Sequence, residues 1–179
     1  MLPFFKKHSY DIVKMLINQL AISIFGNALA LATGATQATL RIVTSIFSVL
    51  FYLFLIYVMM WDLGAKDTFR FQKGEKGLTR LAGIWMALLA SIPNFLLAVL
   101  ISLGTAVGAL GSVGAVSKMV ALFLEGMYTG LLAIPVNGIA LHSIGGGFIF
   151  FLLPLPLIAT AGIAYFAGSH DFKIFRVKR

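Results

Sequence analysis

The sequence predicts an all-α, polytopic integral membrane helical bundle, with four transmembrane helices plus an outer-side interfacial or re-entrant helix. Three observations lead there. The 179 residues are 60% hydrophobic and only 11% charged, with a mean hydropathy of +0.97, whereas a soluble domain carries about 25% charged residues. Several apolar runs reach about 18 residues or more, enough for a helix to cross hydrocarbon and too continuous for barrel strands. The basic residues collect at the ends of those runs, above all in the polar island Trp61–Arg80, WDLGAKDTFRFQKGEKGLTR, which holds Lys66, Arg70, Lys73, Lys76 and Arg80.

Residues 1–14, with Lys6, Lys7 and Lys14 among aromatics, read as an interfacial lead-in. The first span is expected at about 15–33. A cleavable signal peptide competes for this stretch, since Ala28, Ala30 and Ala32 suit a cleavage site. Asn18, Gln19 and Asn27 within the apolar core argue against it. Gln19, Ser23 and Asn27 recur every four residues beside Gly26 and Ala30, so they form one helical stripe that should face other helices.

A short link, Gly34–Thr39, joins a second span at about 40–60, making the pair an antiparallel hairpin. Arg41, Ser45, Ser48 and Tyr52 share one face of it. The third span, about 82–103, contains Pro93-Asn94 near its middle. Proline deletes one helical hydrogen bond and frees the Leu89 carbonyl, so a kink is expected. Ala87, Ser91, Asn94, Ala98 and Ser102 line one face there.

Gly104, Gly108, Gly111 and Gly114 then loosen the chain. Residues 115–134 are apolar but carry Lys118 and Glu125 and end at Pro135. Gly138 and Gly145–Gly147 mark a further flexible stretch around Asn137 and His142. The last span, about 148–167, holds Pro154 and Pro156 and leads to a basic tail, 168–179.

Charge sets the topology. With four spans, the N-terminus, the loop 61–81 and the tail share the cytoplasmic side, and only Arg41 and Lys118 of the 14 basic residues fall outside. A fifth span through 115–134 would place the tail's Lys173, Arg176, Lys178 and Arg179 outside, against the positive-inside rule. Residues 115–134 therefore lie on the outer surface or dip in and return. The reading is one membrane domain in the plasma membrane, with both termini cytoplasmic.

The island and the tail echo each other over a few residues, a match open to two readings, chance similarity and duplication. Gly64-Ala65-Lys66-Asp67 precedes Thr68-Phe69-Arg70-Phe71, and Gly168-Ser169-His170-Asp171 precedes Phe172-Lys173-Ile174-Phe175-Arg176. Both follow an outside-to-inside span, as a duplicated two-helix unit would require. The alternation at Phe69 and Phe71 also permits a short strand, although interleaved aromatics and cations suit an inner-leaflet surface better.

No catalytic constellation is present. Cysteine is absent, His8, His142 and His170 fall in separate regions, and no P-loop or nucleophile elbow occurs. With no soluble basic domain, the net charge of +8 indicates anionic lipid head groups rather than nucleic acid. No metal or cofactor is expected. The small-and-polar helix faces point to a non-enzymatic assembly subunit of a larger membrane complex, or to a self-associating bundle. The alternative is a small transporter or channel. Its candidate intramembrane site is Gln19, Asn27, Ser91, Asn94 and Glu125, around the kinked third span, and proton coupling requires that Glu125 enter the bundle. Asp62, Lys66, Asp67 and Arg70 are the candidate inner-surface contact. A third option, an enzyme acting on lipid head groups, would use Asp62 and Asp67.

Overall fold

The computed structural model describes residues 2–33, 37–72 and 81–170, and it is all-α, with 88% of the described residues helical. Helix α1 is Leu2–Ala32 and α2 is Ala38–Gln72. Helices α3, Ala82–Ala90, and α4, Ile92–Ala106, meet at Ser91. A single 3-10 turn, Gly108–Leu110, leads into α5, Gly111–Leu124. The short α6, Thr129–Leu132, follows another such turn. Strands β1, Pro135–Val136, and β2, Ile139–Ala140, form a minimal antiparallel hairpin, and α7, Ile149–Leu152, and α8, Leu155–Ser169, close the described chain.

Both long helices exceed the expected spans. The lead-in before residue 15 is continuous with α1. The island, expected as a loop over 61–81, is helical to Gln72, and residues 73–80 lie outside the described part. Local bonds explain the extension: Lys66 pairs with Asp62 one turn earlier at 2.5 Å, and the Thr68 hydroxyl bonds the Gly64 carbonyl at 3.0 Å. Phe69 and Phe71 thus belong to a helix, not a strand. The tail beyond His170, including its half of the repeat from Asp171 onward, also falls outside the described residues.

The expected kink is present. α3 and α4 bend by 49°, and Pro93 sits in the first turn of α4, where its missing N–H has no partner to lose. Residues 108–132 break more sharply, by 81°. At the β1–β2 turn, Asn137 and Gly138 have φ of 52° and 82°, the doubly left-handed geometry that favours Asn-Gly in two-residue hairpins.

Among the described residues, three helical stretches are long and apolar enough to cross a membrane: Lys7–Ala32, Ala38–Thr68 and Ile149–Ser169. The two bent pairs would raise the number to five. The apolar windows of the three bury only 28%, 22% and 33% of their positions. Leu31, Ile17, Phe47, Leu50 and Ile163 are among the exposed residues. Soluble monomers rarely expose so many large apolar side chains together, and such exposure fits helices that cross a membrane.

The chain divides into two compact units. The first comprises Met1–Met15, Leu53–Ala90 and Pro156–Arg179. Within it α2 and α8 cross at two glycines. A Cβ on Gly64 would overlap the Tyr165 carbonyl, and a Cβ on Gly168 would overlap the Trp61 carbonyl. Each glycine therefore meets the backbone of the aromatic residue three positions before the other. Gly83 of α3 packs against Ala161 and Tyr165 of α8 in the same close manner.

The second unit comprises Leu16–Tyr52 and Ser91–Leu155. Helices α4 and α5 pair antiparallel. Gly104 lies against Gly114 near the turn, and Ala98, Ile101, Ala121 and Phe150 form a core with Leu97 and Leu122. The segment after α5 comes back to where it started. Thr105 donates to the Gly146 carbonyl at 3.1 Å, and Gly147 packs on Ile101, both near the C-terminal end of α4. Residues 111–147 therefore leave and return at the same end of α4.

Candidate functional site

The far end of α5 is where the polar residues converge. A helix ends with unpaired carbonyls that need donors, and α5 stops at Leu124 with Glu125 at its C-cap. The stripe on α1 supplies the donors: Asn27 Nδ2 bonds the Phe123 carbonyl at 3.0 Å, and the Ser23 hydroxyl donates to the Leu124 carbonyl. One turn earlier, Gln19 Nε2 donates to Glu125 Oε1 at 3.1 Å. The approach is possible because Gly26 faces the Met127 backbone and Gly126 faces Ser23 and Asn27, leaving no room for a Cβ at either position.

The next turn continues the pattern. Thr129 Oγ1 donates to the Gly126 carbonyl at 2.7 Å and lies 3.4 Å from Asn27 Oδ1. On α2, Ser45 Oγ accepts the Gly130 N–H at 2.7 Å. Farther along the same face of α2, Tyr52 is 1% exposed. Its hydroxyl has no hydrogen-bond partner among the described residues and lies within electrostatic reach of Glu125. Tyr128 donates to the Leu153 carbonyl at 3.3 Å.

Glu125, a candidate for the intramembrane site in a segment expected either on the outer surface or dipping in, is 3% exposed and thus enclosed. Its depth can be gauged along the helices. Gln19 is the thirteenth of the 26 residues of the apolar stretch Lys7–Ala32, and Tyr52 is the fifteenth of the 31 in Ala38–Thr68. The carboxyl is thus held by a residue at the midpoint of one helix long enough to cross hydrocarbon, with Tyr52, near the midpoint of another, within electrostatic reach.

The expected site residues divide. Gln19, Asn27 and Glu125 come together as described. Ser91 stands at the α3–α4 break and Asn94 in the first turn of α4, both buried. Tyr52, Ser23 and Ser45 carry more of the site than the sequence assigned them. Their four-residue spacing with Gln19, Asn27 and Arg41 was the available signal.

The inner-surface candidates also divide. Asp62 and Lys66 form an exposed pair, with side chains 58% and 67% accessible. Asp67, expected at the surface, is fully buried. It accepts the Tyr165 hydroxyl at 2.9 Å and pairs with the half-exposed Arg70 at 3.3 Å. Five residues apart on a helix, Asp62 and Asp67 thus have opposite surroundings, one in solvent and one enclosed. In the turn after β2, the Lys118 ammonium donates to Ser143 at 3.2 Å, and Ser143 lies 3.0 Å from His142 Nδ1. Burial first, then the Lys118 charge, hold His142 below the ordinary histidine range, which suits a neutral ring accepting the Ser143 hydroxyl. Among the described residues no three His, Cys, Asp or Glu side chains are placed to share a metal ion.

No protein-family model matches the chain, and no significant match is found among curated proteins or solved structures.

Proposed function

We propose that the chain is a non-enzymatic, multi-pass plasma-membrane protein that moves a small solute or ion, with Glu125 at its centre. The proposed topology has four spans, formed by α1, α2, the kinked α3–α4 pair and α7–α8. Residues 111–147 form a re-entrant loop entered from outside. Both termini and the island face the cytoplasm, against anionic head groups. The charge distribution supports this orientation, and the return of Gly146 and Gly147 to the C-terminal end of α4 supports re-entry.

One observation carries the functional reading: a buried acidic side chain hydrogen-bonded to the midpoint of an apolar helix. Placing an ionisable group there is costly, so such residues mark ion, proton or substrate routes. The alternative of an assembly subunit or self-associating bundle drew on small-and-polar helix faces seeking partners. On α1 and α2 those faces bond α5 and α6 of the same chain, which weakens that motive. Mass determination in mild detergent should then give a monomer.

The transport reading is tested in proteoliposomes against a panel of radiolabelled amino acids, sugars, nucleobases and monovalent cations. At least one should accumulate with the wild-type protein and fail to do so with Glu125→Gln. A folded Glu125→Gln protein that behaves as wild type across the panel would refute it.

A further inference from the structure

Resting on that transport reading, we infer that the species Glu125 binds is a proton rather than a metal cation, and that the Tyr52 hydroxyl becomes its second donor when the proton leaves. A hard cation such as calcium or magnesium needs about six or more oxygen ligands. The oxygens at this break are already committed as acceptors. The Phe123 carbonyl takes the Asn27 amide, Leu124 takes the Ser23 hydroxyl, Glu125 takes the Tyr128 N–H at 2.8 Å, and Gly126 takes the Thr129 hydroxyl. Gln19 turns its N–H, not its oxygen, towards the carboxyl. One carboxylate among carbonyl oxygens that already accept hydrogen bonds makes a poor metal cage, whereas a proton needs a single oxygen.

The donors around Glu125 support the same conclusion. A stable carboxylate in a protein interior collects two or three donors or a cation. Here α1 presents Gln19, Ser23 and Asn27, of which only Gln19 bonds the carboxyl, and α2 presents Ser45 and Tyr52. The following turn presents Tyr128, whose hydroxyl is engaged by Leu153. Lys118 lies nearly two turns back on α5 and is held by Ser143. Arg41 is eleven residues from Tyr52 along α2, about 16 Å at helical rise. The described arrangement therefore suits a neutral carboxylic acid, with the unpartnered Tyr52 hydroxyl in reserve.

The test uses the full-length protein in nanodiscs and a hydrophobic carbodiimide, which modifies protonated carboxyls in apolar surroundings. Peptide mass mapping should find the adduct on Glu125 at neutral pH. It should be lost as pH rises, be absent in Glu125→Gln, and be undiminished by sodium or calcium. Infrared pH titration provides a second measure that needs no reagent access, through a protonated-carboxyl band that disappears in Glu125→Gln. Tyr52→Phe should move the pH of band loss upward by about one unit, the worth of one hydrogen bond to a charged group. Adduct or band suppressed by sodium or calcium, or no protonated band at neutral pH, overturns the inference. An unshifted Tyr52→Phe titration removes Tyr52 from it. If flux depends on Glu125 while the band is absent, transport stands and the proton falls. If the band is present with no flux for any solute, the proton binding stands and transport falls.

Discussion

The crossing of α2 and α8 makes a quantitative claim about two glycines 104 positions apart in sequence, Gly64 and Gly168. A Cβ on Gly64 would stand 3.1 Å from the Tyr165 carbonyl carbon and closer still to its oxygen. One on Gly168 would stand 2.9 Å from the Trp61 carbonyl carbon. Carbon atoms pack best about 3.5–4.0 Å apart, so Gly64→Ala or Gly168→Ala must force the helices apart by roughly 0.5–1 Å. Overpacking of this kind costs about 1–3 kcal/mol. The separation also weakens the Tyr165–Asp67 bond, which holds a fully buried carboxyl and is worth about 1.5–3 kcal/mol if the acid is charged. Each single variant should therefore lose about 2–4 kcal/mol. Because either methyl alone opens the crossing, the double variant should lose less than the sum, by about 1–2 kcal/mol. Equilibrium unfolding in mixed micelles, followed by the fluorescence of Trp61 and Trp85, measures all four corners of the cycle. Gly111→Ala is the control, since a Cβ there meets nothing within 4 Å and alanine favours the helix. Single losses below about 0.5 kcal/mol, or strict additivity, would refute the shared crossing.

Three further outcomes are expected. Ser23→Ala combined with Asn27→Leu uncovers the Phe123 and Leu124 carbonyls and should destabilise the protein by about 1–3 kcal/mol, at roughly 0.6–1.7 for each interhelical bond in a membrane, measured by the same unfolding assay. Lys66→Ala should leave the melting temperature unchanged, since its pair with Asp62 is solvent-exposed, while Tyr165→Phe should lower it clearly. For His142, a folded pKa held below 6.5 means the unfolded chain takes up the proton first. The turn 141–147 should then have its full stability above that value and lose it as the pH falls through the lower, folded value. Hydrogen exchange there should quicken between about pH 7 and pH 5, relative to intrinsic rates, and His142→Gln should abolish the difference.

The helical membrane character was legible because composition and run length determine the solvent a chain can tolerate. So was the stripe Gln19-Ser23-Asn27, whose four-residue period needs no partner to be seen. Its partner was not legible. Phe123 and Leu124 contribute only backbone carbonyls, which every residue has, and they lie about a hundred positions away. Whether Glu125 enters the bundle was not legible for a related reason, since the residue that receives it, Gln19, lies 106 positions away in sequence. The helical continuation of the island was hidden by its polarity. Sequence hydropathy reports where lipid ends, not where a helix ends, and the Asp62–Lys66 pair together with the buried Asp67 carries α2 beyond the expected boundary. The Asn137-Gly138 hairpin was the reverse case. Its signature stood in the sequence between two apolar pairs and was read only as flexibility.

The bonds from Ser23 and Asn27 to the end of α5 link residues 101 and 96 positions apart. A ribosome adding about 5–20 residues per second needs roughly 5–20 s to make that interval. Throughout that time α1 exists without the carbonyls its side chains will satisfy. Its first polar partners must be water, head groups or the insertion machinery, and its final position is fixed only after α5 has been delivered. The loop that encloses Glu125 is thus also the last piece needed to settle the first helix, so truncation before residue 125 should leave a membrane-inserted chain that does not mature.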